Sequence, residues 1–436
     1  MTRKAHGSGG PHVPRQFSIL GRRSAPRSKT YQRLVATTSA AAAILICGYI
    51  AIAGSNFTVV RPANPIPTSY FDMNILFHPL NKVPWPAVPF YGWRMSHVNW
   101  PDLEPQRGQW NFALLDKYVD WAQEHNTELM MTMTYTPPWT STVPNAPSDF
   151  STPGYGGPPS DIEDWRTFVR TVATRYKGRI HLYEMWNEPD RRQSWVGDVD
   201  TMVEMVREAS RILKEIDPSV TVISPCPTYG RGPAWLNEFL NKGGGQYVDV
   251  IGYHFYTGHN DGPEAVVPLI QAVKKVMWQN HVGNKPLWDT EAGWLGANPF
   301  PEDQQAAYLA RAYVLNWAAQ VDRFYWYAWE NHHGTQIELI RSDNAALTPA
   351  GQAFATIQQW MVGASMSECL ASENGDWVCE MKRDGANQYI VWNTGGSRSF
   401  RLSRDWHASQ YTQLNAVVNK ISGDSIPIGI QPELIQ

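Results

Sequence analysis

The sequence has few charged side chains, and its basic residues are unevenly distributed. Only 18% of the 436 residues are charged and 43% are hydrophobic, so nothing indicates bulk disorder. Residues 1–33 carry eight basic residues and no acidic one, which leaves 29 Lys and Arg against 40 Asp and Glu, a charge near −11, in the remaining chain. Because nucleic acids attract clustered positive charge, this acidic body argues against a nucleic-acid partner.

Long apolar runs are also scarce, and one dominates. Residues 34–53 contain no charge, and 20 residues are the length that a helix needs to cross a membrane. The basic head, residues 1–33, keeps the N-terminus on the cytoplasmic side of such an anchor. A cleaved signal peptide is the alternative, since Ala51 and Ala53 provide small residues for cleavage. In both cases the chain after about residue 55 is exported, either membrane-anchored or secreted.

Cysteine is limited to four residues. Cys369 and Cys379 flank a turn, Asn374-Gly375-Asp376, in a predicted hairpin, and an exported compartment permits a disulfide between them. Two unpaired cysteines on strands are the alternative. Cys226 follows a predicted strand and is expected to be a small buried residue.

Aromatic residues are abundant, with 20 Trp and 19 Tyr. Large rings are core residues first. Their flat, amphipathic faces also stack on sugars, so the excess favours carbohydrate as a ligand.

Strand-like runs alternate with amphipathic helical patterns after a proline-rich linker, residues 54–69. Eight such strands over roughly 290 residues predict a parallel sheet closed into a (β/α)8 barrel, a TIM barrel, at residues 70–362. Short alternating runs then predict a small β-sandwich-like domain at residues 363–436. The predicted strands are 73–77, 90–95, 128–135, 180–186, 220–224, 248–253, 286–290 and 323–329, and the helices are 111–119, 161–176, 201–216, 263–279, 301–319 and 350–361.

Two glutamates follow two of the predicted strands. Glu188 ends the fourth strand and Glu291 ends the seventh, 103 positions later, close to the spacing of three average barrel units. Functional residues of such barrels lie at the C-terminal ends of strands, so the two carboxylates are expected to converge. Converging carboxylates, one protonated and one ionised, are the groups that cleave glycosidic bonds, and a separation of about 5–5.5 Å favours retention.

The sequence around these residues resembles glycoside hydrolase family 39, within the large barrel clan whose acid/base lies in an Asn-Glu-Pro motif. The fourth strand carries Tyr183-Glu184-Met185-Trp186-Asn187-Glu188-Pro189-Asp190. Further matching segments are Gly92-Trp93-Arg94, Leu103-Glu104-Pro105, Gly108-Gln109-Trp110-Asn111-Phe112, Thr136-Pro137-Pro138-Trp139 and Thr290-Glu291-Ala292-Gly293-Trp294. The resemblance covers most of residues 70–360, whereas Arg191-Arg192-Gln193 gives no family cue.

The resemblance implies roles for individual residues. It makes Glu188 the acid/base and Glu291 the nucleophile. Asn187 is implied to bind the sugar 2-hydroxyl, and Arg94 to lie near the nucleophile. The remaining implied positions are His254 and Tyr256, which position the sugar and the nucleophile, and Trp329, which forms the floor of the sugar site.

Several residues have structural alternatives. Glu184 is expected to be a buried structural residue with Arg94 as its candidate partner, and Asp289 is expected to be a structural residue below Glu291. Trp139 and Trp294 follow strand ends, where stacking on sugar competes with simple packing. A metal cluster of Glu330, His332 and His333 is disfavoured because the adjacent histidines cannot both face one ion easily.

The sequence therefore predicts a retaining glycosidase that cleaves β-linked oligo- or polysaccharide outside the membrane, with endo and exo action both open. Two carboxylates fill both chemical roles, so neither a metal nor an organic cofactor is required. The alternative is a non-catalytic carbohydrate-binding barrel. The presence of both glutamates at strand ends argues against that alternative.

Overall fold

The structure is a computed structural model that describes residues 64–76, 83–148, 152–330 and 334–436, together with the backbone of residues 57–60. The predicted basic head, residues 1–33, and the predicted apolar segment, residues 34–53, lie outside this part. Among the helices described, none has the length and apolar character to cross a membrane.

The first described strand, β1 (Phe57–Val60), lies within the predicted linker, residues 54–69. It pairs antiparallel with residues 368–371, with Phe57 opposite Ala371 and Val60 opposite Glu368. Further along, Ile66 is buried and its N–H donates to the carbonyl of Ala364 at 2.8 Å. The segment differs from a linker because the edge of the C-terminal sheet offers unpaired backbone groups, and a β-branched run supplies a partner strand.

Eight parallel strands form the barrel, as predicted. Their order in the sheet follows the chain, and a bridge between Ile223 and Val250 brings the fifth barrel strand beside the sixth. The strands are β2 (Phe71–Ile75), β3 (Gly92–Met95), β4 (Glu128–Met133), β5 (Leu182–Met185), β6 (Thr221–Ile223), β7 (Ile251–Tyr253), β8 (Leu287–Ala292) and β9 (Arg323–Trp326).

Helices cover the outside of the barrel. Helices α3 and α4 each bury an apolar stripe, and each is preceded by an aspartate whose side chain accepts a backbone N–H group. The long helix α7 is instead buried along most of its length. The helices are α1 (Trp100–Leu103), α2 (Ala113–Glu124), α3 (Ile162–Arg175), α4 (Val199–Ile216), α5 (Gly232–Asn241), α6 (Val266–Gln279), α7 (Glu302–Ala318) and α8 (Pro349–Met361). The sequence patterns did not predict α1 or α5.

A buried ionic group lies near the start of the barrel strands. The Arg323 guanidinium pairs with Asp72 at 2.7 Å and also contacts Glu128. The N–H of Gly92 donates to Asp72 at 2.6 Å, and a Cβ at Gly92 would lie 2.3 Å from Arg323. Glycine is therefore required at the start of β3, the strand that carries Arg94 two residues later.

The C-terminal part is all antiparallel. One sheet has seven strands in the order β1-β10-β11-β12-β17-β14-β15, and a second pairs β13 with β16. The C-terminal strands are β10 (Ser365–Ala371), β11 (Asp376–Arg383), β12 (Ala386–Asn393), β13 (Arg398–Arg401), β14 (Gln410–Gln413), β15 (Val418–Lys420), β16 (Ser425–Ile428) and β17 (Glu433–Ile435). The small β domain predicted for residues 363–436 is thus present.

The C-terminal sheet is joined to the barrel through Glu264, which precedes α6. Its carboxylate accepts hydrogen bonds from the Arg311 guanidinium and from the Trp392 indole, each at 2.8 Å. Arg311 also donates to the carbonyl of Ile430. These contacts connect a barrel loop, a barrel helix and the C-terminal strands.

Cys369 and Cys379 form a disulfide between β10 and β11, as predicted. Because the bond closes a loop of about ten residues, its loss is expected to lower the free energy of unfolding by about 2–3 kcal/mol. A Cys369→Ala/Cys379→Ala double variant, unfolded in urea, checks this. Reductant should bring the wild type to the midpoint of the variant, and equal midpoints without reductant would contradict the prediction.

Candidate active site

Glu188 lies just beyond β5, in a backbone that departs from a regular strand. Trp186 and Glu188 have φ angles of +62° and +45°, values that non-glycine residues seldom adopt. The N–H of Glu188 donates to the carbonyl of Cys226 at 3.0 Å, so this segment runs beside the chain that follows β6. The side chain is buried at the mouth of the barrel.

Glu291 is the fifth residue of β8, where the pairing with β9 is irregular between Asp289 and Ala292. One carboxylate oxygen accepts from the Tyr256 hydroxyl at 2.8 Å, and the other from the Arg94 guanidinium at 2.7 Å. Its side chain keeps 15% exposure, so it remains accessible to a ligand. Two donors therefore fix its orientation.

The two glutamates converge on His254. The Nδ1 atom of His254 lies 3.2 Å from Oε1 of Glu188 and 3.9 Å from Oε2 of Glu291. One ligand atom from each of the three residues lies within 4.8 Å of the others. The close approach of the two carboxylates predicted from the strand positions is therefore present.

Arg94 on β3 connects the network beneath the pair. Its guanidinium donates to Glu184 at 2.8 Å, to Asn187 at 2.9 Å and to Glu291 at 2.7 Å. Glu184 is fully buried and also accepts from Thr132 at 2.7 Å, so it is the structural partner of Arg94 that the sequence indicated. Burial raises the pKa of Glu184, but the charges of Arg94 and His254 and the hydrogen bonds from Arg94 and Cys226 together outweigh this effect and hold the pKa below its usual value.

Glu188 is held in its ionised form in this arrangement. Burial raises the pKa of Glu188, but the hydrogen bond and charge of His254 and the guanidinium of Arg191 outweigh it and lower the pKa to about 2. The pKa of His254 moves upward, since burial lowers it less than the Glu291 and Glu188 carboxylates raise it. A proton donor at Glu188 therefore requires a change in this ion-paired environment.

The three predicted tryptophans have different surroundings. Trp329 is buried beside β2, and its backbone N–H donates to the carbonyl of Asn74. Its indole nitrogen has no hydrogen-bond partner among the described residues. The Trp139 indole instead donates to the carbonyl of Glu104, with Arg107 over the ring. The Trp294 indole donates to the carbonyl of Asp261, and the ring is buried. Only Trp329 therefore offers a free buried donor; the other two make packing contacts.

Two residues near the glutamates were not predicted as site residues. Tyr229 follows β6, has a φ of +47°, and stacks on Tyr256 with ring centres 5.5 Å apart. Arg191, three residues after Glu188, reaches the carboxylate of Glu188. Tyr229 could have been found from its position after a strand end, whereas nothing in the sequence indicates the direction of the Arg191 side chain.

Metal ligation has weak support in the described residues. Glu188, His254 and Glu291 could together surround a cation, as could Glu184, Cys226 and His254. Guanidinium groups of Arg94 and Arg191 already neutralise these carboxylates. Glu330 is buried and accepts the N–H of Leu76, while His332 and His333 lie outside the part described.

A family model described as glycosyl hydrolases family 39 matches residues 86–329, more than half of this chain. A family 39 glycoside hydrolase from Bacteroides cellulosilyticus WH2 superposes with a TM-score of 0.67 at 20% identity, covering 85% of this chain and 82% of that chain. A family 39 β-xylosidase from Caulobacter crescentus gives a TM-score of 0.61 at 16% identity over 86% and 98%. These two likenesses confirm the fold.

One curated relative is similar over a shorter segment. Endo-1,4-beta-xylanase C of Paenibacillus barcinonensis is 26% identical over 141 residues, which are 28% of this chain. The match spans only 12% of the length of that relative.

Asp289, below Glu291, provides a test of the charges in the barrel. It is fully buried, and burial raises its pKa well above the usual range, so the neutral form is favoured. Because the folded-state pKa of Asp289 exceeds the unfolded one, its contribution to stability is fully present below about pH 4 and falls as the pH rises, with a limiting slope of about 1.4 kcal/mol per pH unit. The Asp289→Asn variant has no carboxyl group at this position, so its stability does not fall with pH for this reason.

The free energy of unfolding of both proteins, measured in urea at pH 4.5 and 7.5, checks this expectation. The free energy of unfolding of Asp289→Asn, relative to that of the wild type, should be larger at pH 7.5 than at pH 4.5. Any pH-independent effect of the substitution cancels in this comparison. Parallel pH dependences would contradict a neutral Asp289.

Proposed function

This chain belongs to glycosyl hydrolases family 39, and we propose that it cleaves β-linked saccharides with retention of configuration. The observation that carries this proposal is the approach of one Glu188 oxygen to one Glu291 oxygen within 4.8 Å. Such proximity suits a direct attack on the sugar and leaves little room for the water that an inverting enzyme places between its carboxylates. Family membership also favours an enzyme over the alternative of a non-catalytic barrel.

Glu291 is the proposed nucleophile. Its hydrogen bonds from Arg94 and Tyr256 fix the direction of its carboxylate. In the first step a Glu291 oxygen bonds to the anomeric carbon as the bond to the leaving oxygen breaks. A proton from Glu188 goes to that oxygen, so the leaving group departs as a neutral alcohol.

Glu188 then reverses its role. It takes a proton from a water molecule, whose oxygen bonds to the anomeric carbon while the bond to Glu291 breaks. The second displacement restores the original configuration and returns the proton to Glu188. The cycle needs Glu188 to be protonated when substrate is bound, although His254 and Arg191 favour its ionised form in the free protein.

The remaining residues form the proposed sugar site. Asn187, whose side-chain oxygen accepts a hydrogen bond from Arg94 at 2.9 Å, is the proposed partner of the sugar 2-hydroxyl. The indole nitrogen of Trp329, which has no hydrogen-bond partner among the residues that the structure describes, is the proposed donor for a sugar oxygen. Trp139 and Trp294, whose indoles bind backbone carbonyls, support the walls of the site.

The proposed substrate is a β-linked polymer or oligomer outside the cytoplasm. Two similar proteins are an endo-1,4-beta-xylanase and a β-xylosidase, so β-xylosides and xylan are the first substrates to test. Endo action is preferred, because an anchored enzyme would meet polymer at the cell surface. Product length distinguishes endo from exo cleavage.

Glu188→Gln and Glu291→Gln test the two roles with aryl β-glycosides. Glu188→Gln should lose roughly 10²–10⁴-fold in kcat/KM for a phenyl glycoside, and far less for a 2,4-dinitrophenyl glycoside, whose leaving group needs no proton. Glu291→Gln should lose both activities, because its defect lies in bond formation to carbon. Initial rates for each pair of glycosides provide the measurement.

NMR of the first product, before mutarotation, checks the stereochemistry, and the β-anomer is expected. The Gln variants should keep the wild-type circular dichroism, which controls for folding. Initial formation of the α-anomer, or equal losses for both leaving groups in Glu188→Gln, would contradict the assignment.

Export of the catalytic part is a further element of the proposal. The basic residues of 1–33, the uncharged run 34–53 and a disulfide in the C-terminal sheet support it. Protease added to spheroplasts should digest a C-terminal tag while a cytoplasmic marker survives. The tag of an Ile44→Arg/Ile46→Arg variant should stay protected from the protease, since charges at the centre of an apolar run oppose insertion into the membrane.

N-terminal sequencing of the exported protein would separate a cleaved signal from a retained anchor. Protection of the tag in the wild type would contradict export.

A further inference from the structure

Arg191 occupies an unusual place for a side chain that touches a candidate acid/base. Its guanidinium contacts one oxygen of Glu188, while His254 contacts the other at 3.2 Å. The Glu188 side chain is only 7% exposed, whereas that of Arg191 is 46% exposed. One oxygen of Glu188 therefore faces the buried His254, which also lies 3.9 Å from Glu291, and the other oxygen faces a solvent-accessible cation.

The Arg191 guanidinium does not suit a general acid that acts on a neutral leaving-group sugar. A general acid must carry a proton, and a guanidinium beside it stabilises the carboxylate instead. A neutral leaving-group sugar offers no anion to draw Arg191 away from Glu188. An anionic leaving-group sugar would, because a second carboxylate can take over the planar donors of the guanidinium.

The surroundings of Arg191 are also basic, in contrast to the acidic body of the chain. Arg192 and Arg231, on the loops after β5 and β6, are exposed. Neither lies within 4 Å of a carboxylate in the part of the chain that the structure describes. The exposed guanidinium groups of Arg192 and Arg231 provide electrostatic attraction for an anionic saccharide.

An aromatic face lies beside the same loops. Tyr229 is 36% exposed, and its ring is supported from behind by Tyr256, which binds Glu291. A sugar ring stacked on Tyr229 would sit at the leaving-group side of the glutamate pair. An aromatic face next to guanidinium groups matches a sugar that bears a carboxylate.

We propose that Arg191 is a specificity-determining residue that binds the carboxylate of a uronic acid in the leaving-group position. The inference rests on the proposed glycosidase function and adds the substrate class. On binding, the uronate carboxylate replaces Glu188 as the partner of Arg191. Glu188 is then released from its ion pair and takes up the proton that it donates to the leaving oxygen.

A matched pair of aryl glycosides tests this without knowledge of the natural polymer. The 3-carboxyphenyl and 3-(methoxycarbonyl)phenyl β-glycosides share one sugar, and their leaving groups differ by one negative charge. The measured quantity is the ratio of kcat/KM for the carboxylate to that for the ester, in wild type, Arg191→Gln, Arg191→Lys and Arg192→Gln. Each pair is prepared with xylose, glucose, galactose and mannose, because the sugar that Glu291 attacks is not known.

Arg191→Gln should lower this ratio about tenfold, equivalent to about 1.4 kcal/mol. Arg191→Lys should keep part of the preference because its charge remains. Arg192→Gln should lower the ratio much less than Arg191→Gln does, because Arg191, and not Arg192, pairs with Glu188. Intrinsic differences between the two leaving groups cancel when the variants are compared. A general disturbance of Glu188 would lower both rates equally and leave the ratio unchanged.

An unchanged ratio in Arg191→Gln, or an equal fall in Arg192→Gln, would overturn the inference while leaving the glycosidase function intact. No hydrolysis of any glycoside by the wild type would instead overturn the proposed function, and the inference with it.

Discussion

The buried guanidinium of Arg94 is the interaction on which the rest of the site depends. A charge removed from water must be compensated, and Arg94 obtains this compensation from Glu184 below it and Glu291 above it. The same group binds Asn187, so a single side chain on β3 fixes residues from β5 and β8. The polar interior of this end of the barrel, including Thr132 and Asn74, follows from the need to satisfy that cation and its carboxylates.

The two glutamates differ in how firmly they are held. Glu291 has donors from two buried side chains, Arg94 and Tyr256, and so has one preferred direction. Glu188 has one buried partner, His254, and one exposed partner, Arg191, that solvent or ligand can displace. A group that only attacks and leaves benefits from a fixed orientation. A group that must give and then take a proton benefits from a partner that can change.

Much of the architecture could be predicted, because apolar strands, helix caps and strand-end glutamates are local signals. All eight barrel strands overlap the predicted runs. Features that depend on distant partners could not be predicted: β1 forms because β10 has a free edge, and α5 follows a Gly- and Pro-containing segment typical of a loop. Sequence position likewise placed Trp294 at a strand end, but only the packed structure shows its indole bound to Asp261.

The contacts of Glu264 with Arg311 and Trp392 give the C-terminal sheet a part in the architecture of the sugar site. The loop that starts at His254 and Tyr256 is fastened at Asp261 by Trp294 and, three residues later, at Glu264 by a strand of that sheet. The sheet thus supports this barrel loop and is more than an appended module. Exchanging it for the corresponding part of a relative would alter the support of the loop that carries the histidine between the two glutamates. Chimeras in this family therefore need their barrel and sheet to be matched at this joint.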